Sequence, residues 1–256
     1  MNDIFQIIAE ERSCNRSFAI CIAVSTKGSV PRAPGAKMLV YPDGKIFGTI
    51  GGGRIEKRVI EDALTALKTN EPALLHYDLL KQLEMSCGGS MDVYIEPVMS
   101  RNKLYIFGAG HTGSALAKRA AEFDFDITVI DDRKDYLDEI HQPGINKIHR
   151  AYSEVMPGLL FNENTYITVM TYSHGCDREI LAYCIHKPSA YLGMMGSHRK
   201  VELTKKMFIE DGLATSAQLE KVDMPMGIEI GADGPEEIAI SIIAKIISVK
   251  NKTAIQ

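Results

Sequence analysis

One hexapeptide constrains the fold of this chain more than any other feature of the sequence. The residues Gly-Ala-Gly-His-Thr-Gly occupy positions 108–113 and directly follow an apolar run at 103–107 that predicts a strand. Apolar residues then recur at helical spacing over 112–122, and a second predicted strand ends at Asp131, about 20 residues after the glycines. This order of strand, glycine-rich turn, helix and strand with a terminal acid is typical of dinucleotide-binding Rossmann domains.

The residues of this pattern have distinct expected roles in binding a cofactor. Gly108 permits the tight turn, Gly110 lets backbone amides approach a phosphate, and Gly113 lets the helix pack closely on the strand. His111 belongs to the same loop, and Asp131 is the candidate for contact with ribose hydroxyls. The alternative is a Rossmann-type scaffold that does not use a nucleotide, because a fold does not fix a function.

The distribution of predicted elements divides the chain near residue 100. Strand and helix signals alternate over 101–256, which predicts a Rossmann-like doubly wound parallel sheet in an α/β domain. Residues 1–100 instead predict a smaller α+β domain, with a strand at 18–25, a hairpin around the Pro-Asp-Gly at 42–44 and an amphipathic helix after position 53. The sequence therefore predicts an α/β protein of two domains.

Composition and net charge exclude several classes of binding partner for this chain. The 256 residues are 45% apolar and 24% charged, as in ordinary globular proteins, and the formal net charge of −4 offers no basic surface for nucleic acid or an anionic membrane. No apolar run approaches the roughly 18 residues of a membrane span, and positions 1–16 lack the apolar core of a signal peptide. Five cysteines without a Cys-x-x-Cys pair indicate reduced thiols. We therefore expect a cytoplasmic protein with small-molecule and protein partners.

A second candidate anion site lies at Gly196, Ser197, Arg199 and Lys200, between a short predicted strand and a predicted helix. Backbone amides, a hydroxyl and two cations in one turn suit a phosphate group. Simple helix capping by Ser197, with solvated basic residues behind it, explains the same residues equally well. Both interpretations stay open at the level of sequence.

A glycine triple, Gly51, Gly52 and Gly53, precedes the predicted helix of the first domain. Successive amides in such a turn can form an anion-binding nest, so these residues are further candidates for cofactor binding. Glycines also permit tight turns and close packing without any ligand, and this structural interpretation is favoured for the triple taken alone.

Cys87 lies in the segment Met-Ser-Cys-Gly-Gly-Ser at 85–90. Its small neighbours would leave a thiolate accessible to a metal, a sulfur donor or an oxidant, and a plain loop cysteine is the alternative. Cys21 and Cys184, by contrast, lie in apolar patterns and are expected to pack as small hydrophobic residues.

His174 and Asp177 follow the strand predicted at 165–171, at the sheet edge where open α/β folds bind ligands. Asp177 immediately precedes an apolar helical pattern, which favours a helix N-cap. His174 is expected to be a surface histidine.

These segments, in this order, resemble the xanthine dehydrogenase accessory protein family (XdhC/CoxI). The segments that carry the resemblance lie at positions 28–38, 48–56, 87–89 with 96–97, 108–113, 131–133, 193–200 and 227–239. Together they span nearly the whole chain, and the ordered set is specific although no single segment decides it.

The resemblance implies a maturation factor that carries the molybdenum cofactor, either molybdopterin or its dinucleotide form. Such a factor helps a cysteine desulfurase to replace an oxo ligand by a sulfido ligand and delivers the cofactor to a molybdenum hydroxylase apoenzyme, so it is a carrier more than a turnover enzyme. Cys87 matches the cysteine of the family's Cys-Gly-Gly turn, which makes it the candidate for both the catalytic and the metal-binding role, and soft thiolate chemistry suits that role. A homodimer is the expected assembly.

This chain departs from the family pattern at two places. Many members have a cysteine directly after the glycine triple, where this chain has Arg54. Many also have a His-Asp-His run after the strand predicted here at 165–171, where this chain has Tyr172, Ser173 and His174.

An NAD(P)-dependent oxidoreductase is the alternative function. It would use the loop at 108–113 and Asp131 for the cofactor, with His111 or His174 as the acid or base. The sequence contains no obvious pairing of a base with a group that orients it, and this alternative leaves the first domain unexplained.

Overall fold

The computed structural model describes residues 3–80 and 88–255 of the chain, which divides into two compact units, Met1–Ser100 and Arg101–Gln256. The first unit is an α+β domain built on one antiparallel sheet of five strands in the order β3-β2-β1-β5-β4. Its elements are α1 (Ile4–Ser13), β1 (Phe18–Lys27), β2 (Lys37–Val40), β3 (Ile46–Gly48), α2 (Gly53–Thr69), β4 (Ala73–Asp78) and β5 (Ser90–Val98).

The core of the first unit lies between this sheet and α2. Alternate residues of β1, namely Ala19, Cys21 and Ala23, are fully buried and share a cluster with Ile55 and Val59 of α2. Every second residue of the strand faces the core, and residues three to four positions apart on the helix face the same core. This is the pattern expected for a sheet that is buried on one face. The predicted hairpin is confirmed, because β2 and β3 pair antiparallel around positions 42–44.

The second unit is the predicted Rossmann-like domain. All strand pairs of its five-stranded sheet are parallel, in the order β10-β9-β6-β7-β8. Its elements are β6 (Asn102–Phe107), α3 (His111–Ala120), β7 (Phe125–Asp131), α4 (Lys134–Asp138), β8 (Asn146–His149), α5 (Tyr152–Val155), a 3₁₀ turn (Met156–Gly158), β9 (Thr165–Val169), α6 (His174–Cys184), β10 (Tyr191–Met194), α7 (His198–Glu210), α8 (Ser216–Leu219) and α9 (Gly234–Ile255).

The strand order of the second unit creates one switch point, between β6 and β9. From β6 the chain first builds outward through β7 and β8 and then returns to add β9 and β10 on the other side. In open parallel sheets, the loops that diverge at such a point leave a crevice at the carboxyl ends of the strands. The turn after β6 is the glycine loop at 108–113, so the fold places this loop at the crevice.

Helices cover both faces of the parallel sheet. Leu104 and Ile106 of β6 belong to one buried cluster together with α3 and α9, whereas Tyr105 and Phe107 belong to a second cluster with α5, α6 and α7. Neighbouring residues of a central strand thus fill two separate cores, which explains the uninterrupted apolar runs in the sequence. The predicted fold class is confirmed.

The longest helix is α9, with 22 residues. It packs along α3 and buries Ala239, Ile242 and Ile246. Among the residues that the structure describes, no helix is both long and apolar enough to cross a membrane.

Candidate cofactor site

The glycine loop connects β6 to α3, and its three glycines differ in their surroundings. Gly108 has φ +112°, and a Cβ on it would lie 2.4 Å from the carbonyl oxygen of Met170. A Cβ on Gly113 would lie 1.9 Å from the carbonyl oxygen of Gly108, whereas one on Gly110 would meet nothing within 4 Å. Close packing therefore requires Gly108 and Gly113, while Gly110 leaves open space beside the loop.

A cavity of about 260 Å³ lies at this loop. Helix α3 begins at His111, so its free amides and its dipole favour an anion in the cavity. Three predicted cofactor-binding residues, Gly110, His111 and Gly113, line the cavity. The other lining residues come from α3 and α4, from the segments that follow β7, β9 and β10, and from the start of α9. These other residues are Thr112, Arg133, Tyr136, Met170, Thr171, Tyr172, Met195 and Pro235.

Asp131 ends β7 and holds the glycine loop from inside the protein. Its Oδ2 accepts the amide hydrogen of Ala109 at 2.6 Å, and the guanidinium of Arg133 donates to both carboxylate oxygens at 2.9 and 2.8 Å. The Asp131 side chain has 0% exposure. The predicted contact between Asp131 and ribose hydroxyls stays a prediction, and these internal hydrogen bonds do not favour it.

Hydrogen bonding also shifts the acidity of Asp131. Burial by itself would raise the pKa of this carboxyl, but the hydrogen bonds from the Arg133 side chain and the Ala109 amide outweigh burial and hold the pKa below its ordinary value. The charged form of Asp131 is therefore the form that stabilises the loop.

Replacing Asp131 by asparagine is expected to lower the free energy of unfolding by about 2–3 kcal/mol at pH 7, because Arg133 loses a largely buried counter-ion. Since the folded-state pKa is depressed, the carboxylate stabilises the protein above the ordinary Asp pKa, and this contribution disappears as the pH falls through the folded-state value. Urea unfolding of both proteins between pH 7 and pH 3 should show the difference shrinking below about pH 4. A difference that stays constant would contradict the role of the charge.

Arg133 packs against two tyrosine rings at the rim of the cavity. Its guanidinium carbon lies 4.0 Å from the centroid of the Tyr136 ring and 4.4 Å from that of the Tyr172 ring. The Tyr172 hydroxyl donates to Asp132 Oδ2 at 3.0 Å, and this hydrogen bond raises the pKa of Tyr172. Sequence reasoning did not identify this cluster, although Arg133 follows Asp131 at the spacing that permits a bidentate pair.

The candidate phosphate site at 196–200 is a capped helix start in the structure. Ser197 is the N-cap of α7, and its hydroxyl accepts the amide hydrogen of Lys200 at 3.3 Å. The Lys200 ammonium is already bound, because it donates to Asp177 Oδ2 at 2.7 Å and to the carbonyl oxygen of Met195 at 3.1 Å. Arg199 is exposed and has no ion pair with the residues that the structure describes. Ser197 thus caps the helix, and phosphate binding by Gly196, Ser197, Arg199 and Lys200 stays a prediction.

The expectation that Asp177 caps α6 is wrong. Ser173 is the N-cap of α6, while Asp177 lies inside the first helical turns with only 2% of its side chain exposed. Its Oδ1 accepts hydrogen bonds from the amide and the hydroxyl of Thr171, at 2.9 and 2.8 Å. Its partnership with Lys200 joins the loops that follow β9 and β10. His174 is a surface residue with 75% exposure, as expected.

The glycine triple of the first unit already binds a side chain of the protein itself. The amide of Gly52 donates to Glu56 Oε1 at 2.8 Å, and the Thr49 hydroxyl also donates to this oxygen. A Cβ on Gly51 would lie 2.4 Å from Pro31 Cγ, so close packing accounts for this glycine. The carboxylate of Glu56 fills the position that a bound anion would take, and cofactor binding by Gly51, Gly52 and Gly53 stays a prediction.

Cys87 lies outside the described residues, but the glycines that follow it are described. A Cβ on Gly89 would lie 2.4 Å from the carbonyl oxygen of Lys27, and one on Gly28 would lie 3.2 Å from Gly89 Cα. The segment that begins at Gly28 therefore contacts the Gly88-Gly89 turn, and through its Pro31 it also contacts the glycine triple. Three segments that carry the family resemblance thus meet in the first unit.

The described thiols divide into buried and accessible groups. Cys21 and Cys184 are fully buried, as predicted, and burial raises the pKa of each to about 12. Cys14 is exposed and Cys176 is half-buried. Within residues 3–80 and 88–255 there is no group of three or more His, Cys, Asp or Glu side chains that could hold a metal ion.

The fold and the site define a Rossmann-like protein with a glycine-rich loop beside a cavity, joined in one chain to a small α+β domain. Family comparison agrees, because residues 104–246 match the XdhC Rossmann domain and residues 12–78 match the XdhC and CoxI family. The chain belongs to the XdhC and CoxI family.

Two curated proteins are similar to this chain. The chain is 38% identical over 248 residues to the uncharacterized protein YqeB of Escherichia coli, covering 94% of this chain and 45% of YqeB. It is 28% identical over 165 residues to a probable xanthine dehydrogenase subunit of Bacillus subtilis, covering 64% of this chain and 48% of that protein. The chain thus spans about half the length of these curated relatives.

One solved structure supports the fold. A crystal structure of a xanthine dehydrogenase from Bacillus halodurans aligns with a TM-score of 0.54 and 21% identity, covering 98% of this chain and 96% of that chain. At this identity, the likeness concerns the fold alone.

Proposed function

We propose that this chain is a cytoplasmic accessory protein that binds the molybdenum cofactor and supports its sulfuration and its insertion into a xanthine dehydrogenase-type molybdenum hydroxylase. The proposal combines family membership with one observation, the open approach to Gly110 beside the cavity at the switch point. That arrangement suits a phosphorylated ligand, and a pterin cofactor carries either a phosphate or a whole dinucleotide. The Bacillus subtilis relative named as a probable xanthine dehydrogenase subunit supports the choice of enzyme.

In this proposal, the second unit holds the phosphate end of the cofactor. The amides at the start of α3 donate to phosphate oxygens, and the side chains of His111 and Thr112, which line the cavity, are within reach of the same group. Asp131 stabilises the conformation of the loop by accepting the amide hydrogen of Ala109. Arg133 lines the same cavity, where its pair with Asp131 fixes the orientation of its guanidinium.

Cys87 of the first unit is the proposed contact with molybdenum or with the transferred sulfur. This role rests on the Cys-Gly-Gly match of the sequence, since Cys87 lies outside the described residues. When bound, the cofactor supplies the molybdenum centre that a hydroxylase needs, and a thiolate is a suitable soft ligand for it. The proposed protein partners are a cysteine desulfurase and the hydroxylase apoenzyme, and the proposed assembly is a homodimer.

Purification of wild type and Cys87→Ala from a host that makes molybdenum cofactor tests the proposal. We expect wild type to carry pterin together with molybdenum, and the variant to lose most of the metal, at least about tenfold if the thiolate is a direct ligand. Pterin is quantified as its fluorescent oxidation product and molybdenum by elemental analysis. Cys14→Ala, which removes an exposed thiol of the same unit, is the matched control and should keep both.

Two outcomes would contradict this proposal in different ways. If neither protein carries pterin, even with a desulfurase and an apo-hydroxylase co-expressed, the carrier function is wrong. If Cys87→Ala keeps the same metal content as Cys14→Ala, the carrier function stands and the role of Cys87 is wrong.

The glycine loop also suits NAD(P), so an NAD(P)-dependent oxidoreductase is the second candidate. Saturable binding of NADH or NADPH in a calorimetric titration, combined with hydride transfer to a carbonyl substrate, would favour it. Stoichiometric pterin without reduced-nicotinamide binding would favour the carrier.

A further inference from the structure

The guanidinium group of Arg133 forms a charged plane, the Arg133 plane, that has a fixed orientation beside the glycine loop. The Asp131 carboxylate binds the guanidinium through both oxygens and also accepts the Ala109 amide, so a single carboxylate separates Arg133 from the loop. Bidentate pairing fixes the orientation of a guanidinium far better than one hydrogen bond does. The plane is therefore held in place before any ligand binds.

Two tyrosines contact this plane, and they differ in how firmly they are held. Tyr136 is part of α4 and packs against the core beneath α3. Tyr172 lies in the loop between β9 and α6, is 57% exposed, and is bound to its surroundings through the Arg133 contact and the hydrogen bond to Asp132. Tyr172 is thus the contact that a ligand can displace at low cost.

The contact made by Tyr172 crosses the crevice. Because β6 lies between β9 and β7 in the sheet, a hydrogen bond from Tyr172 to Asp132 passes over the carboxyl end of β6, where the glycine loop begins. Tyr172, Arg133 and Gly110 line the same cavity. A dinucleotide on a Rossmann domain extends across this edge, with its phosphates at the loop after the first strand. The Tyr172 ring therefore stands in the path of such a ligand.

Asp132 gives a second reason to expect a ligand here. Its Oδ1 is buried and has no hydrogen-bond partner among the described residues, and its Oδ2 accepts from the exposed residue Tyr172. Buried acceptors without partners are rare in native structures and call for an explanation. A ribose carries two neighbouring hydroxyls: when the Tyr172 ring moves away, one can replace it as the donor to Oδ2 and the other can donate to Oδ1.

We propose that Tyr172 is a gate on a nucleotide site: the planar base of a bound nucleotide displaces the Tyr172 ring and stacks on Arg133, while its ribose binds Asp132 and its phosphates bind the glycine loop. Stacking of bases on aromatic and guanidinium planes is a general mode of nucleotide recognition. Asp132, and not Asp131, is then the acid that reads the ribose. The inference rests on the proposed function, in which this loop holds the phosphate of a cofactor.

The chain contains no tryptophan, so Tyr172→Trp creates a single fluorescent reporter at the gate. We expect saturating GDP to shift its emission to longer wavelength, because the displaced indole enters water. Tyr183→Trp is the matched control, since Tyr183 also carries a cation on its ring, Lys187 at 4.4 Å, but does not line the cavity. Its emission should not change with GDP.

Calorimetric titration of wild type and Tyr172→Ala tests the energetic consequence. We expect Tyr172→Ala to bind GDP about threefold to tenfold tighter than wild type does, because binding no longer has to displace the ring. Affinity for inorganic pyrophosphate should be the same in both proteins. Among GDP, ADP and CDP, the two purine nucleotides should bind tighter than CDP, since they offer the larger stacking surface.

The outcomes separate this inference from the proposed function. If GDP binds Tyr172→Ala no tighter than wild type, or leaves the Tyr172→Trp emission unchanged, the gate is wrong. If wild type binds GDP and pyrophosphate equally, the base is not recognised, and the phosphate-binding loop still stands. If neither compound binds any of these proteins, both the gate and the proposed phosphate site are wrong.

Discussion

Replacing Gly113 by alanine is expected to destabilise the second unit by about 3 kcal/mol or more and to abolish ligand binding at the glycine loop. The added methyl group would lie 1.9 Å from the carbonyl oxygen of Gly108, and both partners belong to the backbone of one tight turn. Relief requires α3 to move away from β6, which also disturbs the contacts of α3 with α9. Hydrogen exchange followed by mass spectrometry measures the effect in peptides from β6, α3 and α9.

Gly110→Ala is the control for this prediction. A Cβ on Gly110 would meet no atom within 4 Å, and its φ of −60° is one that alanine adopts readily. We expect it to cost less than about 1 kcal/mol of stability, the difference between two residues at an N-cap, and yet to weaken phosphate binding, because the methyl group occupies the approach to the amides. Equal exchange rates in Gly113→Ala and Gly110→Ala would show that the close approach at Gly113 does not matter.

Lys200→Met is expected to lower the free energy of unfolding by about 3–5 kcal/mol, because it leaves the Asp177 carboxylate buried without its counter-ion. Lys200 and Asp177 have exposures of only 17% and 2%, so water cannot replace the lost partner efficiently. The variant should also bind ligand more weakly. Lys200 donates a hydrogen bond to the carbonyl oxygen of Met195, and Asp177 accepts one from the amide of Thr171. Met195 and Thr171 both line the cavity.

A matched substitution on the same helix separates burial from charge. Lys206 pairs with Glu210 on the surface of α7, with exposures of 70% and 61%, so Lys206→Met should cost no more than about 0.5 kcal/mol. Urea unfolding of the two variants gives the comparison. Similar losses in both would mean that the Asp177–Lys200 pair is no stronger than an exposed ion pair, and the proposed link between the two loops would then be wrong.

Helices and strands that arise from local residue patterns could be predicted from the sequence. Apolar runs predicted most strands of the second unit, and apolar residues at helical spacing between these runs predicted the long helices that cover them. The Pro-Asp-Gly at 42–44 predicted the hairpin of the first unit. Strand β8 escaped prediction because its four residues, Asn-Lys-Ile-His, include only one apolar side chain. Apolar packing likewise identified Cys21 and Cys184 as buried thiols.

Which charged side chains are already paired within the protein could be seen only in the folded chain. Asp131 and Lys200 have the residue types and positions of ligand-binding groups, but each is bound to another side chain of the chain. Lys200 meets Asp177, 23 residues away, because β9 and β10 are neighbours in the sheet. Similarly, Tyr172 meets Asp132 across 40 residues because β6 lies between β9 and β7.

Local sequence determines the turns and the periodicity of apolar residues. The pairing of charged side chains depends instead on strand order, because strand order brings loops that are distant in sequence to the same edge of the sheet. The glycine loop could therefore be predicted from its own residues, while the Arg133 plane and the Tyr172 contact could not. The same holds in the first unit, where the Glu56 carboxylate accepts the Gly52 amide of the glycine triple. This contact could not be predicted from the sequence.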